Sequence, residues 1–433
     1  MKRLATYLTA VALVAAACSD GDSTAPPSTD TTTPEATTTS IFRTAPQLPL
    51  NEGDGTFTVG TLFPLSGEDE ALAPALTGAA QLAIDDINEA GGVLGIEAVL
   101  VKGDSGDNST DTANQSVDQL ITSGSDVIVG AVATDVSQRV IDKIITSNVI
   151  QFSPANSWPG FTDYDDDGLY FRTAPSDLLQ AGVLADVVSG QGPRTVALTY
   201  QDTEYGETLA NLFTQSYGEL GGEVIEVLPY APNTTDFGSI VDVMLRSGAD
   251  AAVVIGLEES AVLIEQMHEV GIGPSAIPVY GVDGNTRSIG PLVSDPAILN
   301  GFVGIEPAVA TGFLFEFTQQ VDDRADTSGV YAYAPETYDA IIIAALATET
   351  AGTDEPSAVA AQIVDVTRGG VQCSTFAECL ELAISGEDID YQGLGGPYEF
   401  SDAGEPTAAS FRVLTYTGGT EPDPTRDEFV LSR

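Results

Sequence analysis

From Thr56 onward the chain alternates short apolar runs with longer amphipathic stretches, and this alternation limits the fold more than any other feature. Thr56–Phe63 reads as a buried strand, and Pro74–Ala90 follows as a helix. Its Leu76, Ala79, Ala80, Ala83, Ile84 and Ile87 repeat at helical spacing before Gly91-Gly92 stops it. Strands follow at Glu97–Lys102, Asp126–Gly130, Val149–Phe152, Thr195–Tyr200, Glu223–Leu228, Ala251–Gly256 and Pro278–Tyr280. Between them lie a helix running to Gly124, one from Asp135, and others at Leu178–Val188, Thr208–Leu220, Ile240–Ser247 and Ala261–Val270. Strands that alternate with helices of this length predict an α/β protein with parallel sheets wrapped by helices. Gly124-Ser125-Asp126 before VIVG is echoed by Gly248-Ala249-Asp250 before AAVVIG, as two similar lobes would produce. Chance in a Gly/Ala-rich chain would also produce it.

The first 55 residues do not fit this pattern. Lys2 and Arg3 precede an apolar run, Leu4–Val14, that is too short to span a bilayer. Ala15-Ala16-Ala17 then leads to Cys18. Residues 1–17 are predicted to be a secretory signal, and a cysteine at the cleavage point resembles a bacterial lipobox. The expected location is extracytoplasmic, with Cys18 lipidated and tethering the chain to the outer face of the cell membrane. An ordinary signal with a chance cysteine is the alternative. Residues 18–55, rich in Thr, Ser, Pro and Asp, are expected to form a disordered spacer.

Charge narrows the partners. Fifteen Lys and Arg stand against 64 Asp and Glu, a formal net charge of −49. This argues against nucleic-acid binding, which needs basic side chains to neutralise phosphates, and against docking on anionic lipid. A salt-adapted surface and a plain acidic bias are both consistent with the excess. The single histidine, His268, lies on a predicted helix and reads as structural, and with three cysteines it leaves no His-rich or four-Cys metal site. Cys373 and Cys379 would be about 9 Å apart along one continuous helix, too far to bond. Thr375 and Glu378 fit a capping box, however, which places Cys373 in the lead-in and Cys379 one turn inside. A local disulfide is the expectation and two free thiols the alternative. Asp163, Asp165 and Asp167 before Gly168 open like a calcium loop, but the twelfth position is Ala174. An acidic surface loop is the reading, with no metal and no cofactor.

Open parallel sheets bind ligands beyond the carboxyl ends of their strands. Thr134 follows VIVG, Ser153-Pro154-Ala155-Asn156-Ser157 follows VIQF, and Asp283 follows Pro278–Tyr280. Hydroxyls and helix-start amides suit a carboxylate, and Asp283 suits an ammonium; together they suit a zwitterion such as an α-amino acid. Taken singly, Thr134 and Ser157 also read as helix caps or turn residues, and Asp283 as a turn-shaping Asp. No Ser-His-Asp set, GxSxG, P-loop or GxGxxG is present, so no enzyme is expected.

Several segments resemble branched-chain amino-acid-binding proteins of ABC importers, of the leucine/isoleucine/valine-binding family. They are TVGTLFPLSG with the helix to Gly91-Gly92, SPAN at Ser153–Asn156, FRTAPSD at Phe171–Asp177, YGETLA from Tyr205, ETYDAI at Glu336–Ile341 and GLGGPYEFSDAGEP at Gly393–Pro406. Their order and spacing run from Thr56 to Tyr416. The resemblance implies the type I periplasmic binding protein fold, two doubly wound parallel-sheet lobes joined by a three-crossover hinge. It places lobe 1 at residues 56–174 plus 307–396 and lobe 2 at residues 175–306 plus 397–433. It implies a monomer that captures branched-chain or related amino acids and delivers them to an ABC permease, with Thr134, Ala155, Asn156, Ser157, Tyr205 and Asp283 binding the ligand. A sensory module on the same fold, or a site for amides, urea or aromatic acids, is the alternative. The family's ligand-contacting aromatics near Leu72 and near Gly256-Leu257 are absent, so the side-chain pocket departs from the pattern.

Overall fold

The structure is a computed structural model that describes residues 48–67, 69–307 and 314–432. Cys18 and the signal segment lie outside the described residues. The chain runs through β1 (Thr58–Phe63), α1 (Ala73–Glu89), β2 (Val99–Asp104), α2 (Thr112–Thr122), β3 (Val127–Gly130), α3 (Thr134–Ile145), β4 (Ile150–Ser153) and β5 (Tyr170–Arg172). These five strands form a parallel sheet in the order β2-β1-β3-β4-β5.

Next come α4 (Asp177–Gly190), β6 (Thr195–Gln201), α5 (Glu204–Glu219), β7 (Glu223–Tyr230), α6 (Gly238–Ser247), β8 (Ala251–Ile255), α7 (Ser260–Glu269), β9 (Val279–Gly281), α8 (Asp283–Thr286) and β10 (Phe302–Pro307). The chain continues with α9 (Leu314–Asp322), α10 (Ala334–Ala351), α11 (Pro356–Ile363), β11 (Val371–Cys373), α12 (Phe376–Ser385), β12 (Ile389–Gly393) and β13 (Gly396–Pro397). It ends with β14 (Ala409–Thr415) and β15 (Glu428–Ser432).

The second large sheet has the order β15-β14-β10-β9-β8-β6-β7. Its central strands are parallel, as expected, and its edge is antiparallel: β14 pairs antiparallel with β10, and β15 antiparallel with β14. The reason is topological. The chain returns to this sheet from β13 without a crossover helix, and a loop with one short 3-10 turn (Pro424–Arg426) carries β14 back into β15 as its antiparallel neighbour.

Each sheet is buried by its own helices. One core joins Val59, Phe63, Val127 and Phe152 to Ile84 and Ile87 of α1 and to Ile341, Ile342 and Leu346 of α10. Helices α9 and α10 therefore pack on α1, although β6 to β10 separate them in sequence. Another core joins Val196, Leu198, Val253 and Ile305 to Leu184 of α4 and Phe213 of α5. The chain passes between the two sheets after β5, after β10 and after β13. At the last passage Asp339 of α10, fully buried, accepts from the Tyr391 and Tyr398 hydroxyls at 2.7 and 2.6 Å and from the Leu394 and Gly395 N–H groups at 3.0 and 2.6 Å. Four donors around one carboxylate leave this turn little freedom.

The spacer is corrected at its C-terminal end. Asn51 donates its side-chain amide to Asp126 at 2.8 Å, and the Asp54 N–H donates to Asp354 at 2.9 Å. Residues 48–55 are thus bound to the first lobe. Composition misled here because these polar residues satisfy buried groups of the lobe instead of solvating a linker. Cys373 and Cys379 form a disulfide with Cα atoms 5.3 Å apart. Thr375 caps α12 by accepting from the Glu378 N–H at 3.2 Å, so one sulfur lies before the helix and the other in its first turn. Among the described residues no group of three or more acids or other ligands converges as a metal site, and no helix is long and apolar enough to cross a membrane. His268 is exposed in the last turn of α7.

Candidate functional site

A cavity of about 430 Å³ lies between the carboxyl ends of the two sheets. Its wall includes Ala133, Thr134, Ser157 and Trp158 from the first lobe and Asp177, Gln201, Thr203, Tyr205 and Leu257 from the second. Thr134 is the first residue of α3. The cap position is Ala133, which makes no side-chain cap, so the α3 start presents backbone amides beside the Thr134 hydroxyl.

The loop carrying Ser157 is fixed from behind. Ser153 Oγ donates to the Ala131 carbonyl at 2.8 Å and accepts from the Asn156 N–H at 3.0 Å. Arg172, fully buried, donates to the Trp158 carbonyl at 2.8 Å, to the Asn156 carbonyl at 3.3 Å and to Thr162 Oγ1 at 3.0 Å, while its charge is paired with Glu405. At Gly160 an added Cβ would stand 2.1 Å from the Trp158 ring, so the Trp-Pro-Gly turn lets that ring fold back toward the wall.

The opposite wall is built at the starts of α5 and α8. Thr203 caps α5 by accepting from the Gly206 N–H at 3.2 Å. The helix therefore begins at Glu204, earlier than the expected Thr208, and Tyr205 lies in its first turn. Asp283 accepts from the Tyr205 hydroxyl at 2.6 Å and from the Gly284 N–H at 2.8 Å. Asn285, fully buried, anchors this turn through the Val254 carbonyl at 3.0 Å and the Val282 N–H at 3.0 Å. A Cβ on Gly284 would meet the Gly256 carbonyl at 2.8 Å and the Leu257 side chain at 2.9 Å. Glycine thus permits the close approach of the two loops that frame Asp283.

The six expected contact residues divide. Thr134, Ser157 and Tyr205 line the cavity, and Asp283 reaches it through the Tyr205 hydroxyl. Ala155 and Asn156 do not line it. Ala155 is half-buried, while Asn156 is fully buried with its amide spent on the Val132 carbonyl at 2.8 Å and on the Tyr170 hydroxyl at 3.0 Å. Leu257 lines the cavity, whereas Leu72 packs against the core of the first lobe.

Sequence reasoning passed over Asp177. It begins α4 behind the cap Ser176, where an acid reads as ordinary helix-start chemistry. The crossover brings it to the cleft, 2% exposed, with its N–H donating to the Ser157 carbonyl at 2.8 Å. Burial pushes its carboxyl up to about 7, with the neighbouring Asp283 charge adding to the rise; a hydrogen bond from Ser157 and the Arg172 charge pull the other way. Burial and the charges of Asp283 and Asp177 hold the Tyr205 hydroxyl well above its usual range. Tyr333, at the cap of α10 with φ of 61°, is raised by burial and then by Asp283, Glu336 and Asp177. Asp135, Asp177 and Glu204 line this cleft, Asp283 reaches it through Tyr205, and the wall carries no Lys, Arg or His. Chemically the arrangement accepts a cation against the second lobe and presents hydroxyls and helix-start amides from the first.

Two α/β bodies with a cavity between their sheet ends have the architecture of a ligand-capturing protein. A sequence profile of the family described as "Periplasmic binding protein" matches residues 56–417. The chain belongs to that family. It is 27% identical over 375 residues to the "Chemotactic signal transduction system substrate-binding protein BasB" of Halobacterium salinarum, covering 83% of this chain and 87% of that one. It is 24% identical over 372 residues to "Leu/Ile/Val-binding protein homolog 3" of Brucella melitensis, covering 84% and 92%. The fold matches the branched-chain amino acid transporter substrate-binding protein LivJ of Streptococcus pneumoniae, solved with isoleucine. The TM-score is 0.67 at 20% sequence identity, over 87% of this chain and 99% of that one.

Proposed function

We propose that this chain captures an α-amino acid in the cleft and presents it to the permease of an ABC importer, from an extracytoplasmic position anchored through a lipidated Cys18. The observation that carries the reading is the opposition of Thr134 and the α3 start to the Tyr205–Asp283 pair across one cavity, with Ser157 and Asp177 in contact beside them. The first set would hold the ligand's carboxylate and the second its ammonium, and closure of the lobes would bring both to bear. The relatives named for leucine, isoleucine and valine binding support the amino-acid class.

A thermal-shift panel of amino acids, amides, urea and aromatic acids tests it. A ligand at 100 times its dissociation constant stabilises by about 2.7 kcal/mol. An α-amino acid is expected to shift the melt, and Asp283→Ala to weaken it by roughly 10- to 100-fold. A shift by amides or aromatic acids alone would remove the ammonium role. A second reading is favoured by the relative named as part of a chemotactic signal transduction system: the loaded lobes would report occupancy to a signalling partner. Cells lacking the chain would then keep uptake of the ligand and lose the response to it.

A further inference from the structure

Behind the second-lobe wall, one carboxylate oxygen gathers groups from three strand ends. Glu259 Oε1 accepts from Gln201 Nε2 at 2.8 Å, from the Tyr230 hydroxyl at 2.8 Å and from the Leu257 N–H at 3.0 Å. The three donors stand at the end of β6, at the end of β7 and in the turn after β8. Gln201 and Leu257 line the cavity, whereas Glu259 itself does not. The turn is shaped for this contact. A Cβ on Gly256 would stand 2.0 Å from the Tyr230 hydroxyl oxygen and 2.9 Å from Glu259 Oε1, so glycine lets the turn close over both groups. Tyr230 is buried, with its ring packed edge-on against Phe237.

Gln201 is 6% exposed, and a primary amide has one donor end and one acceptor end. Its nitrogen is turned to Glu259, and a flip would set its oxygen against a carboxylate, which only accepts. Among the described residues no hydrogen bond reaches Gln201 Oε1, and that atom keeps accessible surface. The oxygen is therefore the end that remains for a group inside the cavity. An acceptor held in this way favours a ligand N–H. Left unmet when the lobes close and strip its water, it would cost affinity.

We infer that Glu259 is a positioning residue for the cleft: it fixes the Gln201 amide with its oxygen presented to the cavity, as a further acceptor for the ligand's amino group, and holds Leu257 in the same wall. This rests on the reading of the cleft as an α-amino-acid site. Calorimetric titration of the full chain with the twenty standard amino acids selects the tightest binder as the probe. Gln201→Met keeps the length of the side chain and removes the amide. It and Glu259→Ala are each expected to weaken binding of that probe about tenfold. The double variant is expected to lose less than the product of the two factors, because Glu259 acts through Gln201. Glu259→Gln retains an oxygen at the Oε1 position and is expected to recover most of the affinity, which a role for the Glu259 charge would not allow. Losses that multiply in the double variant, or a Glu259→Gln as weak as Glu259→Ala, overturn the positioning role. Full affinity in Gln201→Met, a variant that leaves Glu259 in place, overturns it too. All three outcomes leave the α-amino-acid reading standing. Binding of none of the twenty overturns that reading and this inference with it.

Discussion

In the first lobe Asp126, just before β3, accepts from the Thr58 N–H at 2.8 Å and so ties the start of β1 to its neighbour. In the second lobe Asp250, just before β8, does the same for β6 by accepting from the Arg194 and Thr195 N–H groups, each at 3.0 Å. The preceding glycines match too: Gly124 has φ of 79° and Gly248 of 67°. The weak sequence echo is therefore one structural device used twice. Its setting differs. Asp126 is 2% exposed beneath Asn51, and burial pushes its carboxyl up to about 7. Asp250 is exposed, and its backbone hydrogen bonds, from Arg194 first, lower it. An identical hydrogen-bond motif thus gives opposite pH behaviour according to what covers it. In the cleft the first lobe supplies Thr134, Ser157 and one acid, Asp135, while the second supplies Gln201 and Thr203 with the carboxylates of Asp177 and Glu204.

The largest expected effect separates two ion pairs, one beneath the Ser157 loop and one in the second sheet. Arg172 and Glu405 are buried together, whereas Arg412 and Glu306 of the second lobe keep part of their side chains in water. Arg172→Ala is expected to cost ~3–5 kcal/mol in urea unfolding, because it strands a buried carboxylate and frees the Ser157 loop. Arg412→Ala is expected to cost about 1 kcal/mol. Equal losses would contradict the assignment of the Arg172–Glu405 pair as the site's support.

A smaller effect tests the paired aspartates. The raised Asp126 contributes stability that is fully present below its ordinary, unfolded value and is lost as pH rises through about 7. The lowered Asp250 contributes stability that is present above its ordinary value and is lost as pH falls through its folded one. Asp126→Asn is expected to flatten the decline of stability between pH 4 and 7 by about 1–3 kcal/mol. Asp250→Asn is expected to change only the acid limb. Denaturant midpoints across pH read both.

The smallest is a slope in ligand binding. Burial pushes the Asp177 carboxyl up to about 7, so affinity for an ammonium ligand should rise with pH through that value. Asp177→Asn should leave a weaker and flatter profile. An unchanged slope would remove Asp177 from the site.

The α/β alternation was legible because strands such as Val127–Gly130 and Ala251–Ile255 are buried throughout and read as continuous apolar runs. The positions of Thr134, Ser157 and Asp283 beside the cleft were legible because they follow strand ends, where such sheets bind ligands, and that of Tyr205 only through the family resemblance. Asp177 was not, because its approach to Ser157 crosses from one lobe to the other and no local pattern records it. Arg172 was hidden likewise: its partner, Glu405, lies 233 residues away. The antiparallel β14 and β15 depend on a connection length that the alternation does not encode. Asn156 failed as a wall residue because adjacency to Ser157 says nothing about which way a fully buried amide turns.

The central claim is that one cleft reads both ends of an α-amino acid. Titration followed by Trp158 fluorescence would compare the best-binding amino acid with its carboxamide and with the corresponding α-keto acid. The account predicts that removing either the carboxylate or the ammonium costs at least about tenfold in affinity. A keto acid that binds as tightly as the amino acid would contradict it.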